Sequence, residues 1–187
     1  MYDITIIGAG IVGLSLAYEI SEKNPRLKFL VLEKEEKFAF HQTGHNSGVI
    51  HSGIYYAPGS KKAKNCRRGI QLLKQFCEKM NINYEMCGKI IIATKQEELP
   101  ILESIMNRGL ENGIKGLKIL DSRSILEYEP NANGLRGIYC PETGIIDYKE
   151  VCTNLFDVVS KSGDVAFSKK VIDIEIRSDG IKVITKD

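Results

Sequence analysis

The chain has 187 residues, of which 43% are hydrophobic and 27% are charged, and its formal net charge is +2 with a pI near 8.2. This length and composition predict a globular chain that forms one domain or two small ones. The small net charge gives no indication of a nucleic-acid partner, no apolar run approaches the ~20 residues of a membrane span, and the N-terminus lacks the basic region of a signal peptide.

The five cysteines are odd in number and include no C-x-x-C pair. Most of them have apolar neighbours in the sequence. This usage predicts reduced thiols in a cytoplasmic compartment rather than a disulfide framework or a redox site.

The start of the chain has the pattern of a βαβ unit. An apolar strand at residues 3–7 precedes a glycine turn, and a helix is predicted from Val12 to Lys23. The segment "LKFLVLEK" is continuously apolar before its charged end, which predicts a strand buried on both faces. An irregular loop follows, and apolar residues at helical spacing predict a second helix from Ser60 to Met80.

The middle of the chain changes character. "INYEMCGKIIIAT" predicts two strands that meet near Gly88. Thr94 and Glu97 have the spacing of a capping box, which predicts a helix that runs to about Asn112. Because strands and helices are mixed here without a βαβ repeat, this region is expected to have a different architecture from the first unit.

Two further helices and two strand regions are predicted towards the end. Asp121 opens a short helix that Pro130 ends, and "GLRGIYC" follows as a strand. Asp147, with Glu150, caps a longer helix that Gly163 ends. "KKVIDIEIRSDGIKVITKD" predicts a hairpin around an Asp-Gly turn.

The glycine turn of the βαβ unit contains the motif G-x-G-x-x-G at Gly8, Gly10 and Gly13. In a dinucleotide-binding unit these glycines provide the tight turn, the close approach to the pyrophosphate and the contact between helix and strand. Glu33 follows about twenty residues later, where a carboxylate can accept hydrogen bonds from the adenosine ribose. A plain glycine turn beside a solvated Glu33 is the alternative, but the order of elements favours a dinucleotide.

The segment after the second strand favours FAD over NAD. A nicotinamide-binding domain normally continues with another helix and strand of the same sheet. Here the chain enters a loop of roughly twenty residues that is rich in glycine and serine, and loops of such length are usually functional. A flavin ring needs cover of this kind, because it lies far from the adenosine.

All three histidines, His41, His45 and His51, lie in that loop. They could hold a metal, supply a catalytic base or cover a cofactor. Gly44 and Gly48 disfavour the helix that would place His41 and His45 on one face, and no carboxylate or cysteine lies nearby in the sequence as a further ligand, so no metal is expected. We expect structural roles for His41 and His45, whereas His51 is a candidate base as well as a structural residue.

The helix that begins at Ser60 carries Lys61, Lys62 and Lys64 in its first turn. Cations at this end of a helix oppose the helix dipole. Local rules are often broken at functional sites, so Lys62 is a candidate for attracting an anionic substrate. A solvated basic face is the alternative.

Four segments stand out beyond the glycine motif: "GHNSGVIHSGIYY" with the "PGS" that follows, "CGKIIIAT", "GLENGIKGL" and "CPETGIIDY". Together they resemble the FAD-dependent L-2-hydroxyglutarate dehydrogenase/oxidase family of the D-amino-acid-oxidase-like (DAO) flavoproteins. The resemblance extends over essentially the whole chain. It implies oxidation of a small 2-hydroxy acid, L-2-hydroxyglutarate, to 2-oxoglutarate, with hydride transfer to FAD and oxygen or a quinone as the electron acceptor. A quinone-linked enzyme could contact a membrane peripherally, without an integral membrane segment.

The resemblance also implies roles for individual residues. The expected cofactor-binding residues are Gly8, Gly10, Gly13, Glu33, Lys34, Thr43, Asn46, Ser47 and Gly48. Oxidation of the hydroxyl requires a proton acceptor. His51 is the candidate for it, with Tyr55 and Tyr56 behind it, and Lys62 is the candidate substrate-binding residue.

The predicted fold is α/β, a Rossmann-like FAD-binding domain interrupted by part of an α+β substrate domain. Residues 1–83 and 145–187 are assigned to the FAD-binding domain and 84–144 to the substrate domain. Family members are about twice as long, so the chain is expected to be truncated and inactive alone. Two alternatives stay open: another flavin oxidase of the superfamily that acts on an amino acid or amine, and an inert FAD- or ADP-binding fragment.

Overall fold

The computed structural model describes residues 1–186. In chain order the strands are β1 (Ile4–Ile7), β2 (Phe29–Leu32), β3 (Val49–Ile50), β4 (Tyr84–Glu85), β5 (Lys89–Ala93), β6 (Lys118–Asp121), β7 (Arg136–Cys140), β8 (Gly144–Ile146), β9 (Asp164–Ala166), β10 (Val171–Arg177) and β11 (Gly180–Thr185). The helices are α1 (Ile11–Lys23), α2 (Lys61–Met80), α3 (Leu99–Glu111), α4 (Ser122–Tyr128) and α5 (Tyr148–Ser162), with single 3-10 turns at Gln42–Gly44 and Gln96–Glu98.

These elements divide into two units. The first contains Met1–Ser47 and the chain from Asp147 onward, and the second, Gly48–Ile146, is inserted into it. The sequence-based division instead placed 48–83 with the nucleotide-binding part. The assignment of 84–144 to substrate binding stays a prediction.

The first unit is built on a parallel sheet with the order β1-β2-β9. The central strand β2 is apolar because both of its faces are covered: Phe29, Val31 and Leu32 are buried. Helices α1 and α5 pack against each other beside this sheet. The predicted hairpin is also present, as the antiparallel pair β10 and β11. These elements confirm the α/β character of the fold.

The second unit contains two antiparallel three-stranded sheets, with the orders β3-β8-β4 and β5-β7-β6. Helix α3 packs on β5 and β7. The resulting core consists of Ile54, Ala93, Leu102, Ile114, Ile138 and Cys140, with partly buried side chains around it. Ile54 belongs to the loop at residues 51–56, which also contains His51, so this core holds that loop in place.

The longer predicted elements agree with the structure, and one predicted cap is wrong. The carboxylate that caps the entry to α3 belongs to Glu98 and not to Glu97: its Oε2 accepts hydrogen bonds from the N–H groups of Thr94 at 2.7 Å and Lys95 at 3.2 Å. A 3-10 turn at Gln96–Glu98, with Lys95 as its N-cap, precedes the helix, so the capping box is shifted by one residue and α3 itself begins at Leu99. The short strands β3, β6, β8 and β9 had not been predicted. None of the helices in residues 1–186 combines the length and hydrophobicity needed to span a membrane.

A close contact between α5 and β2 gives a first prediction. A Cβ at Gly163 would lie 2.4 Å from the ring of Phe29, which is buried. Overpacking should therefore make Gly163→Ala less stable by about 1–3 kcal/mol in denaturant unfolding. Gly69→Ala is the control, because Gly69 lies within α2 with no atom near its Cβ position, and helix propensity should stabilise that variant by about 0.5–1 kcal/mol. Equal stability of Gly163→Ala and wild type would contradict the packing.

Candidate functional site

The glycine loop lies between β1 and α1 and is closely packed. A Cβ at Gly13 would lie 1.9 Å from the carbonyl oxygen of Gly8, so only glycine allows α1 to approach the loop. Gly8 itself has φ +103°, which favours glycine. At Gly10, a Cβ would lie 3.3 Å from Thr43 Oγ1. Gly8 thus allows the turn, Gly13 allows the contact between helix and loop, and Gly10 leaves the start of α1 free of a side chain.

The N-terminus of α1 is well suited to an anion. Its N-cap is Gly10, which offers no side chain for capping. The first helical N–H, of Ile11, donates to Thr43 Oγ1 at 3.1 Å. Helix N-termini attract phosphate through their N–H groups and the helix dipole. The geometry of this loop therefore fits the pyrophosphate of a dinucleotide, with Thr43 beside it.

The side chain of Glu33, at the end of β2, holds the glycine loop by a hydrogen bond. It is 7% exposed, its Oε2 accepts a hydrogen bond from Ala9 N at 2.7 Å, and its Oε1 accepts one from Glu35 N at 3.0 Å. An ionised carboxylate has about four acceptor positions, so both oxygens retain capacity for a ribose hydroxyl. The side chain of Lys34 is exposed, with Nζ 3.6 Å from Glu35 Oε1.

Two of the three histidines have structural contacts within the first unit. His41 Nε2 lies 2.7 Å from Glu35 Oε1, and this hydrogen bond holds the pKa of the Glu35 carboxyl below its usual range. The expectation that no carboxylate lies near these histidines is therefore wrong for His41, because the loop folds back on the residues after β2. His45 Nδ1 lies 3.0 Å from the carbonyl oxygen of His41, and both rings are exposed. Asn46 donates to the carbonyl of Thr43. Across residues 1–186 no three side chains of His, Cys, Asp or Glu are grouped closely enough to hold a metal ion.

Ser47 ends the first unit and Gly48 begins the second. Ser47 is exposed, whereas Gly48 has φ +66° and no space for a side chain, because a Cβ would lie 2.9 Å from Ile146 O. The flavin-binding roles of these two residues stay predictions.

The third histidine lies on a loop of the second unit, at residues 51–56, whose backbone is held by distant side chains. The carbonyl of His51 accepts a hydrogen bond from Cys66 Sγ at 3.0 Å, while its ring is exposed. The next residue, Ser52, is buried and accepts a hydrogen bond from Cys140 Sγ at 3.3 Å. Asn112 Nδ2 donates to the carbonyls of Gly53 at 3.2 Å and Tyr56 at 2.9 Å. This loop therefore presents an exposed imidazole on an anchored backbone.

The basic N-terminal part of α2 begins beside the same loop. Lys62 Nζ lies 4.7 Å from the centroid of the Tyr56 ring, a cation–π geometry. Ser60 caps the helix by accepting a hydrogen bond from Ala63 N at 3.2 Å. Lys62 is therefore oriented by a tyrosine that was itself predicted to belong to the site.

An ion pair joins α2 to the segment after β7. The guanidinium of Arg67 donates to Glu142 Oε2, and Lys115 N donates to Glu142 Oε1 at 2.6 Å. Arg67 also donates to Gly113 O at 3.3 Å, beside Asn112. Burial alone would raise the pKa of Glu142, but the hydrogen bonds and the charge of Arg67 outweigh it, so its pKa lies below the usual value.

The structure thus brings together Gly8, Gly10, Gly13, Glu33 and Thr43 in the first unit, and it groups Tyr56 with Lys62 in the second. Sequence reasoning missed three residues that shape these loops. Ala39, with φ +55°, donates its N–H to Ala9 O at 3.0 Å. Asn112 and Cys140 hold the loop at 51–56. No local signal identifies them, because their partners are remote in the chain.

A parallel sheet, a glycine loop that opens a helix, and a buried acid at the end of the next strand define the class: an α/β dinucleotide-binding protein. The chain matches the family described as DAO, FAD dependent oxidoreductase, over residues 3–187. It belongs to this family, which confirms the predicted fold class and FAD as the cofactor.

Two curated relatives are both named L-2-hydroxyglutarate dehydrogenase. The chain is 47% identical to the mitochondrial L-2-hydroxyglutarate dehydrogenase of Dictyostelium discoideum, over 100% of this chain and 42% of that protein. It is 46% identical to the L-2-hydroxyglutarate dehydrogenase of Indibacter alkaliphilus, over 95% of this chain and 45% of that protein. The chain therefore spans less than half the length of these relatives.

Solved structures support the fold. L-alpha-glycerophosphate oxidase from Mycoplasma pneumoniae, with FAD bound, superposes with a TM-score of 0.92 at 27% identity, over 100% of this chain and 50% of that one. Glycine oxidase from Geobacillus kaustophilus gives a TM-score of 0.86 at 21% identity, over 99% and 51%.

The depressed pKa of Glu142 generates a pH prediction. Its ion pair stabilises the fold above the pKa of the unfolded chain, about 4.3, and this contribution is lost as the pH falls through the lower folded value. Glu142→Gln should therefore be less stable than wild type at neutral pH, and the difference should shrink below about pH 4. Denaturant unfolding of both proteins across this range measures it. A difference that is independent of pH would contradict the role of the charge.

Proposed function

We propose that the enzyme to which this chain contributes oxidises L-2-hydroxyglutarate to 2-oxoglutarate. The observation that carries the proposal is the 47% identity to an L-2-hydroxyglutarate dehydrogenase across the entire chain. The chain's own geometry is compatible with this chemistry: the first unit offers a dinucleotide site and the second offers an exposed imidazole on an anchored loop.

Each unit contributes different residues to the proposal. Gly8, Gly10, Gly13, Glu33 and Lys34 hold the ADP half of FAD, while Thr43, Asn46, Ser47 and Gly48 follow the flavin half. When bound, FAD supplies the hydride acceptor.

The reaction also needs a group for the hydroxyl proton, and we assign this role to His51, with Tyr55 and Tyr56 supporting it. A neutral imidazole can accept the proton as C2 gives up its hydrogen. Lys62 attracts a carboxylate of the substrate. The exposed ring of His51 and the cation–π contact of Lys62 support these roles.

A second candidate is a related flavin oxidase that acts on an amino acid or amine. The observation that favours it is the glycine oxidase of Bacillus cereus, which superposes with a TM-score of 0.82 at 26% identity, over 100% of this chain and 52% of that one. Anaerobic flavin reduction by L-2-hydroxyglutarate, and not by glycine or other amino acids, separates the two candidates. Reduction by the amino acids alone would favour the oxidase.

The cellular context is part of the proposal. We place the enzyme in the cytoplasm, with electrons passing to oxygen or to a quinone at a membrane surface. The five free cysteines, three of them buried, support a reducing compartment.

Cofactor retention gives the first functional prediction. The purified and dialysed chain should show the visible absorption bands of bound FAD if the first unit holds it alone. Gly13→Ala should lose these bands, because its Cβ cannot fit beside Gly8 O. Gly69→Ala, which changes an uncrowded glycine, should retain them. A colourless wild-type chain would mean that flavin binding needs the additional length of the relatives, and retained flavin in Gly13→Ala would contradict the role of the loop.

The proposed role of His51 as proton acceptor gives a second functional prediction. In the enzyme extended to the length of its relatives, His51→Ala should slow flavin reduction by L-2-hydroxyglutarate at least about 100-fold, because the hydroxyl proton loses its acceptor. FAD content should be unchanged. His45→Ala, which removes an exposed histidine of the first unit, is the matched control and should keep the wild-type rate. Reduction of His51→Ala at the wild-type rate would remove His51 from this role.

A further inference from the structure

A second lysine has the same arrangement as Lys62. Lys89 Nζ, at the start of β5, lies 4.3 Å from the centroid of the ring of Tyr55, the residue that precedes Tyr56, whose ring contacts Lys62. Arg108, near the end of α3, directs Nη1 towards Tyr55 O at 3.5 Å. Two consecutive tyrosines thus contact three cations from three different elements of the second unit: Lys62 and Lys89 lie over the rings, and Arg108 points at the carbonyl of Tyr55.

These cations have no acidic counterpart in the described part of the chain. Neither lysine nor Arg108 forms a salt bridge within residues 1–186, whereas Arg67 pairs with Glu142 and Arg136 with Glu103 in the same unit. Grouped positive charges without a counter-charge repel each other, and an anion that binds among them relieves this repulsion.

The tyrosine rings orient the ammonium groups without using their hydrogen-bond donors. An ammonium has three N–H donors, and a ring face holds it electrostatically from one side. Arg108 likewise has five donors, of which one points at Tyr55 O. The remaining donors can bind carboxylate oxygens, and because the rings already orient the lysines, less side-chain entropy is lost on binding.

We infer that Lys89, with Arg108, is a second carboxylate-binding site, which recognises the carboxylate of a dicarboxylic substrate that Lys62 does not bind. This inference rests on the proposed function, since L-2-hydroxyglutarate carries two carboxylates. Lys89 and Lys62 lie over the rings of two consecutive residues, Tyr55 and Tyr56, which follow His51 by four and five positions. A turn closed by Tyr56 N and Gly53 O at 3.1 Å lies between His51 and these rings in the chain.

Calorimetric titration of the FAD-loaded enzyme, at the length of its relatives, tests the inference. Glutarate is the dicarboxylate probe and butyrate the monocarboxylate probe, and neither can be oxidised at a hydroxyl. Lys89→Met should weaken glutarate binding at least about tenfold and leave butyrate binding unchanged, since one charge-assisted contact is lost. Lys62→Met should also weaken glutarate binding.

Controls separate the charge from the fold and from the reaction. Lys89→Arg, which keeps a cation over Tyr55, should restore glutarate binding, and Lys118→Met, which removes an exposed lysine from β6, should not change it. Unchanged glutarate affinity in Lys89→Met, or an equal loss for both probes, would overturn the inference. Its failure is distinguishable from failure of the proposed function, because the latter appears in wild type as absence of flavin reduction by L-2-hydroxyglutarate.

Discussion

The contact between Gly13 and the carbonyl of Gly8 is the constraint on which the first unit depends. At 1.9 Å from that oxygen there is no space for a Cβ, so α1 can begin directly at the loop only with glycine here. This approach brings the positive end of the helix to the same place as the turn. The packing that joins strand to helix therefore also forms the proposed anion site, which needs no separate binding element.

Glu33 connects the packing of the glycine loop to the proposed binding of the nucleotide. Its buried carboxylate accepts the N–H of Ala9 and so fixes the glycine loop, while spare acceptor positions remain for a sugar hydroxyl. A charged group with 7% exposure is costly unless it is hydrogen-bonded, and here backbone N–H groups satisfy it. The same side chain therefore shapes the loop, and in the proposed function its binding to a ribose would couple the conformation of the loop to the binding of a nucleotide.

The sequence was most informative where structure is local. The βαβ unit, helix α2 and the hairpin of β10 and β11 could be predicted because each carries its own periodicity or turn residues. Strands such as β8 (Gly144–Ile146) and β9 (Asp164–Ala166) contain three residues each, too few to show a period, and only their partners in the sheet define them. Glu98 replaced Glu97 as the cap because a 3-10 turn shifted the helix start.

In the candidate site too, residues with a local sequence signal could be predicted and residues that act through remote contacts could not. The glycine motif could be identified because its residues are contiguous in the chain, and Glu33 because it follows at the spacing typical of dinucleotide-binding units. Asn112 could not, because its significance arises only when the fold brings the C-terminal end of α3 to the carbonyls of Gly53 and Tyr56. Such remote anchors fix the main chain around His51 and leave its ring exposed. A proton acceptor needs this combination, since its backbone must be held in place while its side chain stays available to a substrate.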